Sequence, residues 1–141
     1  MKNKVILIDT GPLVAFLNRR DHHHNWATSH LAMMQPPLLT CEAVFSEACF
    51  LLRQEKNGAV NLLELIERKL LTLPFRFEDE FQAIQALMTK YKNRPMSFAD
   101  ACLVRMSEQY AASVVFTLDS DFGVYRKHGR QAIPMISPVV H

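Results

Sequence analysis

Apolar positions along the chain change their period several times, and each change marks an element. Val5-Ile6-Leu7-Ile8 is an unbroken, mostly β-branched run, the pattern of a strand covered on both faces in a parallel sheet. Asp9-Thr10-Gly11-Pro12 stops it, and Pro12 suits the first turn of a helix carrying Leu13, Val14, Phe16 and Leu17. A polar stretch from Asn18 to Asn25 leads into a helix starting near Trp26 and ended by Gln35-Pro36-Pro37, after which Leu38-Leu39-Thr40 reads as a short strand. Over 42–54, Val44, Ala48, Leu51 and Leu52 recur three and four residues apart and predict a helix. Asn57-Gly58 breaks the chain before another amphipathic helix through Leu62, Leu63, Leu65 and Ile66, and Leu70 to Leu73 predicts a third strand ahead of Pro74.

Glu78-Asp79-Glu80 puts negative charge where a helix dipole favours it, and the helix so begun runs through Phe81, Ile84, Leu87 and Tyr91. Beyond Pro95, Ser97 is placed as an N-cap with Asp100 at the closing position of a capping box, and that helix continues through Leu103, Val104 and Met106. Ser113 to Leu118 is a β-rich strand, followed by Asp119-Ser120-Asp121-Phe122 and a last strand near Ala132 to Ile136. Strands separated by helices imply βα crossovers and a mainly parallel, three-layer α/β domain. Trp26, Phe45, Phe50, Phe75, Phe77 and Phe81 read as core by default, or as an apolar surface for a partner.

In such sheets the ligand site lies at the carboxyl ends of the strands, where strand order reverses. Asp9 ends the first strand, and Asp119 and Asp121 follow the strand at 113–118. An Asp after a strand also serves as a turn residue or N-cap, and both readings of Asp9 stay open. Glu47 and Asp100 share helical faces with apolar residues that must pack inward, and a carboxylate there is costly unless paired or bound to a cation. The alternatives are a cap for Asp100 through Ser97 and an ion pair for Glu47 with Arg53 or Arg105. Converging carboxylates raise one another's pKa, and a divalent cation removes the conflict. Oxygen ligands suit Mg²⁺ or Mn²⁺; the Cys and His spacing that zinc requires is absent near these positions. Bound water of lowered pKa could then attack a phosphodiester without a nucleophilic side chain.

Composition adds a frame for that chemistry. The 141 residues suit one domain, and 49% hydrophobic against 21% charged residues is the balance of an ordinary globular protein. The 16 basic and 14 acidic residues give +2; with Asp9, Glu47, Asp100, Asp119 and Asp121 set aside in one pocket, the remainder carries +7, which suits a polyanion unless the charge is merely scattered. Arg19-Arg20, Lys90-Lys92-Arg94 and Arg126-Lys127-Arg130 read as phosphate contacts or as solvated faces. Cys41, Cys49 and Cys102 form no CxxC pair and are expected as reduced core residues in a cytoplasmic protein, since no run is apolar enough for a signal peptide or a membrane span. His22-His23-His24 reads as a solvated loop, or as a rim of the pocket.

Taken together, Ile8-Asp9-Thr10-Gly11-Pro12-Leu13-Val14-Ala15, Leu39-Thr40 with Glu47, Ser97-Phe98-Ala99-Asp100-Ala101 and Thr117-Leu118-Asp119-Ser120-Asp121-Phe122 resemble, in order and spacing, the PIN-domain family and within it VapC-type toxins. The resemblance implies a single PIN-like nuclease domain over 1–141, a Rossmann-like α/β/α fold with a sheet of about five strands and the first strand central. It implies Mg²⁺ (or Mn²⁺) held by Asp9, Glu47, Asp100 and Asp119, with Asp121 helping and Thr10, Ser97 and Thr117 hydrogen-bonding carboxylates or metal waters. It also implies hydrolysis of RNA, a homodimer and a cognate antitoxin. Two competing readings are a non-catalytic RNA- or protein-binding PIN domain and a haloacid-dehalogenase-type phosphatase, which needs a second Asp where this chain has Gly11.

Overall fold

The computed structural model describes residues 4–138. Its elements run β1 (Val5–Ile8), α1 (Thr10–Leu17), α2 (His24–Leu31), β2 (Leu38–Leu39), α3 (Glu42–Leu51), α4 (Gly58–Glu67), β3 (Leu71–Thr72), α5 (Phe77–Lys90), α6 (Phe98–Gln109), β4 (Ser113–Phe116), a 3-10 turn (Ser120–Gly123), β5 (Arg126–Lys127), β6 (Gln131–Ala132) and β7 (Met135–Ile136).

Five strands form one sheet in the order β3-β2-β1-β4-β7, parallel throughout. In β1, Ile6, Leu7 and Ile8 are all buried, and because successive side chains point to opposite faces, both faces of the sheet are covered by helices. That is the three-layer α/β/α arrangement expected, with β1 at its centre. The chain steps outward from β1 to β2 and β3, then returns to lay β4 on the other side of β1, with Val5 through Ile8 opposite Ser113 through Phe116. Strand order therefore reverses between β1 and β4.

Local chemistry accounts for the element ends. Ser97 Oγ accepts from Asp100 N at 3.0 Å while Asp100 Oδ2 accepts from Ser97 N at 3.3 Å, closing the capping box expected at the start of α6. At α4 the break is tighter than a simple loop: Asn57 is left-handed at φ 57°, and a Cβ on Gly58 would lie 2.2 Å from the Leu52 carbonyl oxygen. α2 stops at Leu31, short of Pro36, with a turn through Met34 between.

Three expectations need correcting. The last strand is two: the segment changes partner at Ile133-Pro134, so that β6 pairs antiparallel with β5 and β7 pairs parallel with β4. Strand β5 is a polar dipeptide with no periodicity to announce it. Phe50, Phe77 and Phe81 are exposed rather than core; Arg53 lies over the Phe50 ring at 3.9 Å, and Phe77 packs edge-on against exposed Phe98 at 4.9 Å. The histidine run, finally, is only partly a solvated loop. His22 is exposed, but His23 packs edge-on against Trp26, and His24 opens α2 with Nδ1 2.7 Å from the Ala15 carbonyl. Among the described residues no helix is long and apolar enough to cross a membrane.

Candidate active site

The reversal of strand order opens a cleft of about 440 Å³, lined by Asp9, Thr10, Gly11, Glu47, Leu51, Pro95, Ser97, Asp100, Leu118, Asp119 and Asp121. All five acidic residues singled out from sequence line it, and so do Thr10 and Ser97. None of the lining residues is Lys, Arg or His.

Asp9 leaves β1 still on the sheet ladder, its N–H donating to the Phe116 carbonyl at 3.0 Å, and then caps α1. Its Oδ1 accepts from Thr10 N at 2.8 Å and its Oδ2 from Thr117 Oγ1 at 2.7 Å. The cap reading of Asp9 is real, and the same carboxylate lines the cleft. Thr117 is buried and works in two directions, because its oxygen also accepts from Asp119 N at 2.9 Å. Asp119 Oδ1 in turn accepts from Asp121 N at 2.8 Å, which folds the 3-10 turn back along the cleft. One threonine so ties the carboxyl ends of β1 and β4 together.

Asp100 is 8% exposed and enters from the first turn of α6. Tyr125 Oη donates to its Oδ2 at 3.0 Å. Tyr125 lies beyond every acidic motif, in a stretch without apolar period, and sequence reading missed it. Gly11 brings the first turn of α1 against Leu118, where a Cβ would meet the Leu118 side chain at 2.9 Å.

Glu47 reaches the cleft by a route different from the one expected. It is exposed, not inward-facing, because the buried stripe of α3 is Val44 and Ala48, with Cys41 and Leu52 at its ends, and Glu47 sits on the flank with half-exposed Leu51. Neither basic partner is available to it: Arg53 donates to the Phe50 carbonyl, and Arg105 is engaged by Glu80 and Glu108.

The electrostatics follow from burial without counter-charge. Desolvation pushes the Asp9 carboxyl up to about 6, reinforced by Asp100 and Asp119 and opposed by the Thr117 and Thr10 hydrogen bonds. Asp100 is also raised, first by burial, against the Tyr125 bond that lowers it. Burial and the neighbouring Asp100 push the Tyr125 phenol upward, so it remains a donor. Thr10 Oγ1 is buried without a hydrogen-bond partner.

Among the described residues no three Asp, Glu, His or Cys side chains enclose a point where an ion would sit. The donor set nevertheless fits a hard cation. Mg²⁺ keeps several waters and takes only one or two carboxylates directly, and an orphaned threonine hydroxyl is a partner for such a water. An apolar cavity of about 280 Å³ lined by residues of α1, α2 and α4, among them Leu13, Leu31 and Leu65, offers no comparable chemistry. The histidines at 22–24 do not line the acidic cleft.

A doubly covered parallel sheet whose switch point opens onto carboxylates defines a class: open α/β domains with their ligand cleft at the carboxyl edge of the first strand. A sequence profile of the PIN domain matches residues 6–127, and the chain belongs to that family. Among solved structures it is similar to Mycobacterium tuberculosis VapC20, described as a sarcin-ricin loop cleaving toxin, with a TM-score of 0.76, 22% sequence identity, and 84% of this chain and 93% of that chain covered. No curated protein matches the sequence significantly.

Proposed function

We propose that this protein is a Mg²⁺- or Mn²⁺-dependent endoribonuclease that hydrolyses RNA phosphodiester bonds, and the toxin of a toxin-antitoxin pair. The observation that carries this reading is the convergence of Asp9, Glu47, Asp100, Asp119 and Asp121 from separate elements on one cleft that holds no basic side chain.

In this reading Asp9, Glu47, Asp100 and Asp119 hold the cation, and Asp121 assists. When bound, the cation supplies a water of lowered pKa and offsets charge on the leaving oxygen. Thr117 orients Asp9 and the Asp119 backbone together, Ser97 orients Asp100, and the free hydroxyl of Thr10 donates to a water or a phosphate oxygen. Glu47 is the exposed member of the set, on the open side of the cleft. RNA as substrate is supported by family membership and by VapC20, whose fold is shared; the sarcin-ricin loop is therefore the first substrate to try beside single strands. The apolar side chains left exposed, Phe50, Val60, Leu63, Phe77 and Phe81, support a homodimer or a bound antitoxin in a cytoplasmic complex.

The test is RNA cleavage in Mg²⁺ and in Mn²⁺. Cleavage is expected to stop with EDTA and to fall on the order of 10²-fold or more in Asp9→Asn and Asp100→Asn proteins that keep their fold. Full cleavage by the Asp100→Asn protein would sink this assignment of the site. One observation favours a second reading, a non-catalytic RNA- or protein-binding domain: although the acids share one cleft, among the described residues no group of three or more Asp, Glu, His or Cys is placed to hold an ion. RNA that binds with steep salt dependence yet stays intact in Mn²⁺ selects it.

A further inference from the structure

We infer that Tyr125 is a positioning residue of this site, whose hydroxyl fixes one oxygen of Asp100 and so reserves the other for the cation. This rests on the metal-dependent reading above and assigns a role to a residue outside the acidic motifs.

Two donors converge on the same atom. Tyr125 Oη reaches Asp100 Oδ2 at 3.0 Å, and Ser97 N reaches that oxygen at 3.3 Å. Both of these bonds fall on the one oxygen, and Asp100 lines the cleft. A carboxylate is planar, so pinning one oxygen while Cβ is held by α6 sets the direction of the other.

The phenol is itself rigidly held. Tyr125 is 1% exposed, and its ring packs edge-on against Tyr91 at 5.2 Å and Phe122 at 5.3 Å. The β5–β6 hairpin that carries it is fastened to two helices: Arg126 N donates to Tyr91 Oη at 2.9 Å, Lys90 Nζ to the Gly129 carbonyl at 2.9 Å, and His128 N to Glu108 Oε2 at 2.8 Å. A phenylalanine would fill the same apolar space, and a buried hydroxyl is costly unless it is hydrogen-bonded. Asp100 is the partner that offsets that cost. The hairpin thus carries a support that reaches into the cleft from behind, and metal-site supports of this kind commonly hold a ligand's orientation.

The experiment compares Mn²⁺ affinity of the full chain, read from the free-ion signal in electron paramagnetic resonance, for wild type, Tyr125→Phe and Lys90→Met. Tyr125→Phe is expected to bind Mn²⁺ about tenfold more weakly, with RNA cleavage returning towards the wild-type rate at saturating Mn²⁺. Lys90→Met releases one tie of the hairpin but leaves the hydroxyl on Asp100, and should stay within about twofold of wild type. Unchanged affinity in Tyr125→Phe overturns the inference and leaves the site reading intact. Equal weakening in Lys90→Met overturns it too, since hairpin placement rather than the hydroxyl would then control the ligand. A wild-type protein that binds no Mn²⁺ removes the site reading itself, and this inference with it.

Discussion

Asp9 is held up to about 6, against an ordinary 3.8, even though two donors stabilise its charged form, so burial outweighs both hydrogen bonds. A carboxyl with a raised native pKa binds its proton more tightly folded than unfolded. Its contribution to stability is therefore complete below pH 3.8 and is lost as pH rises through about 6, an interval corresponding to ~3 kcal/mol. Without metal, Asp9→Asn should be more stable than wild type at pH 7.5, by ~1–3 kcal/mol, and the advantage should shrink towards nothing near pH 4. Urea midpoints at the two pH values measure this; an advantage independent of pH would show that Asp9 is not the strained group. The same variant is expected to be inactive, so activity and stability move in opposite directions at one residue. Single residues were unevenly legible. Asp9 and Asp100 declared themselves by position, at a strand end and in a capping box. Glu47 does line the cleft, but not through an inward face, since sharing a helical face with apolar residues does not distinguish the buried stripe of a helix from its flank. Tyr125 gave no signal, because its partner is twenty-five positions away and only the folded hairpin joins them.

Elements were legible where local chemistry decides them. The capping box of α6 and the break at Asn57-Gly58 are short-range features, and the structure has both. Gly58 also shows what sequence withholds. The position requires glycine less for its backbone angles than because the Leu52 carbonyl lies where a Cβ would be. Gly58→Ala must move backbone, and is expected to lower stability by about 2 kcal/mol or more in a urea melt. RNA cleavage per folded molecule should be unchanged, since α4 does not line the acidic cleft; a loss of activity in folded protein would mean the strain propagates. Ser97→Ala is expected to cost ~1 kcal/mol in a urea melt by removing the hydroxyl that accepts from Asp100 N, with the smaller effect on Mg²⁺ activation, because the Ser97 N–H that donates to the Asp100 carboxylate is kept. The β5–β6 hairpin and the division of the last strand were not legible: dipeptide strands have no period, and a change of pairing partner at Ile133-Pro134 is a tertiary event.

At the scale of the molecule, apolar pattern indicates the parallel α/β layers, and resemblance adds only the central place of the first strand, because periodicity names elements without ordering them. Order is what creates the site, since the chain's return to the far side of β1 sets Asp9 beside Thr117. A cleft of carboxylates without counter-charge should make the whole fold respond to a divalent ion. At a Mg²⁺ concentration of about one hundred times its Kd, wild-type stability at pH 7.5 should rise by ~2.7 kcal/mol, seen as a higher melting temperature. The Asp100→Asn protein should show little of that rise, and an equal rise there would place the ion elsewhere.

The Thr117–Asp9 bond spans 108 positions of the chain. On a polypeptide still emerging from the ribosome, Asp9 and α1 appear before Glu47 and Asp100, and all of them before β4. Until β4 has been made and laid beside β1, however, these acids have no common edge to gather on. A polypeptide cut short before residue 113 therefore has no means of assembling the acidic cleft, and is expected to leave RNA intact.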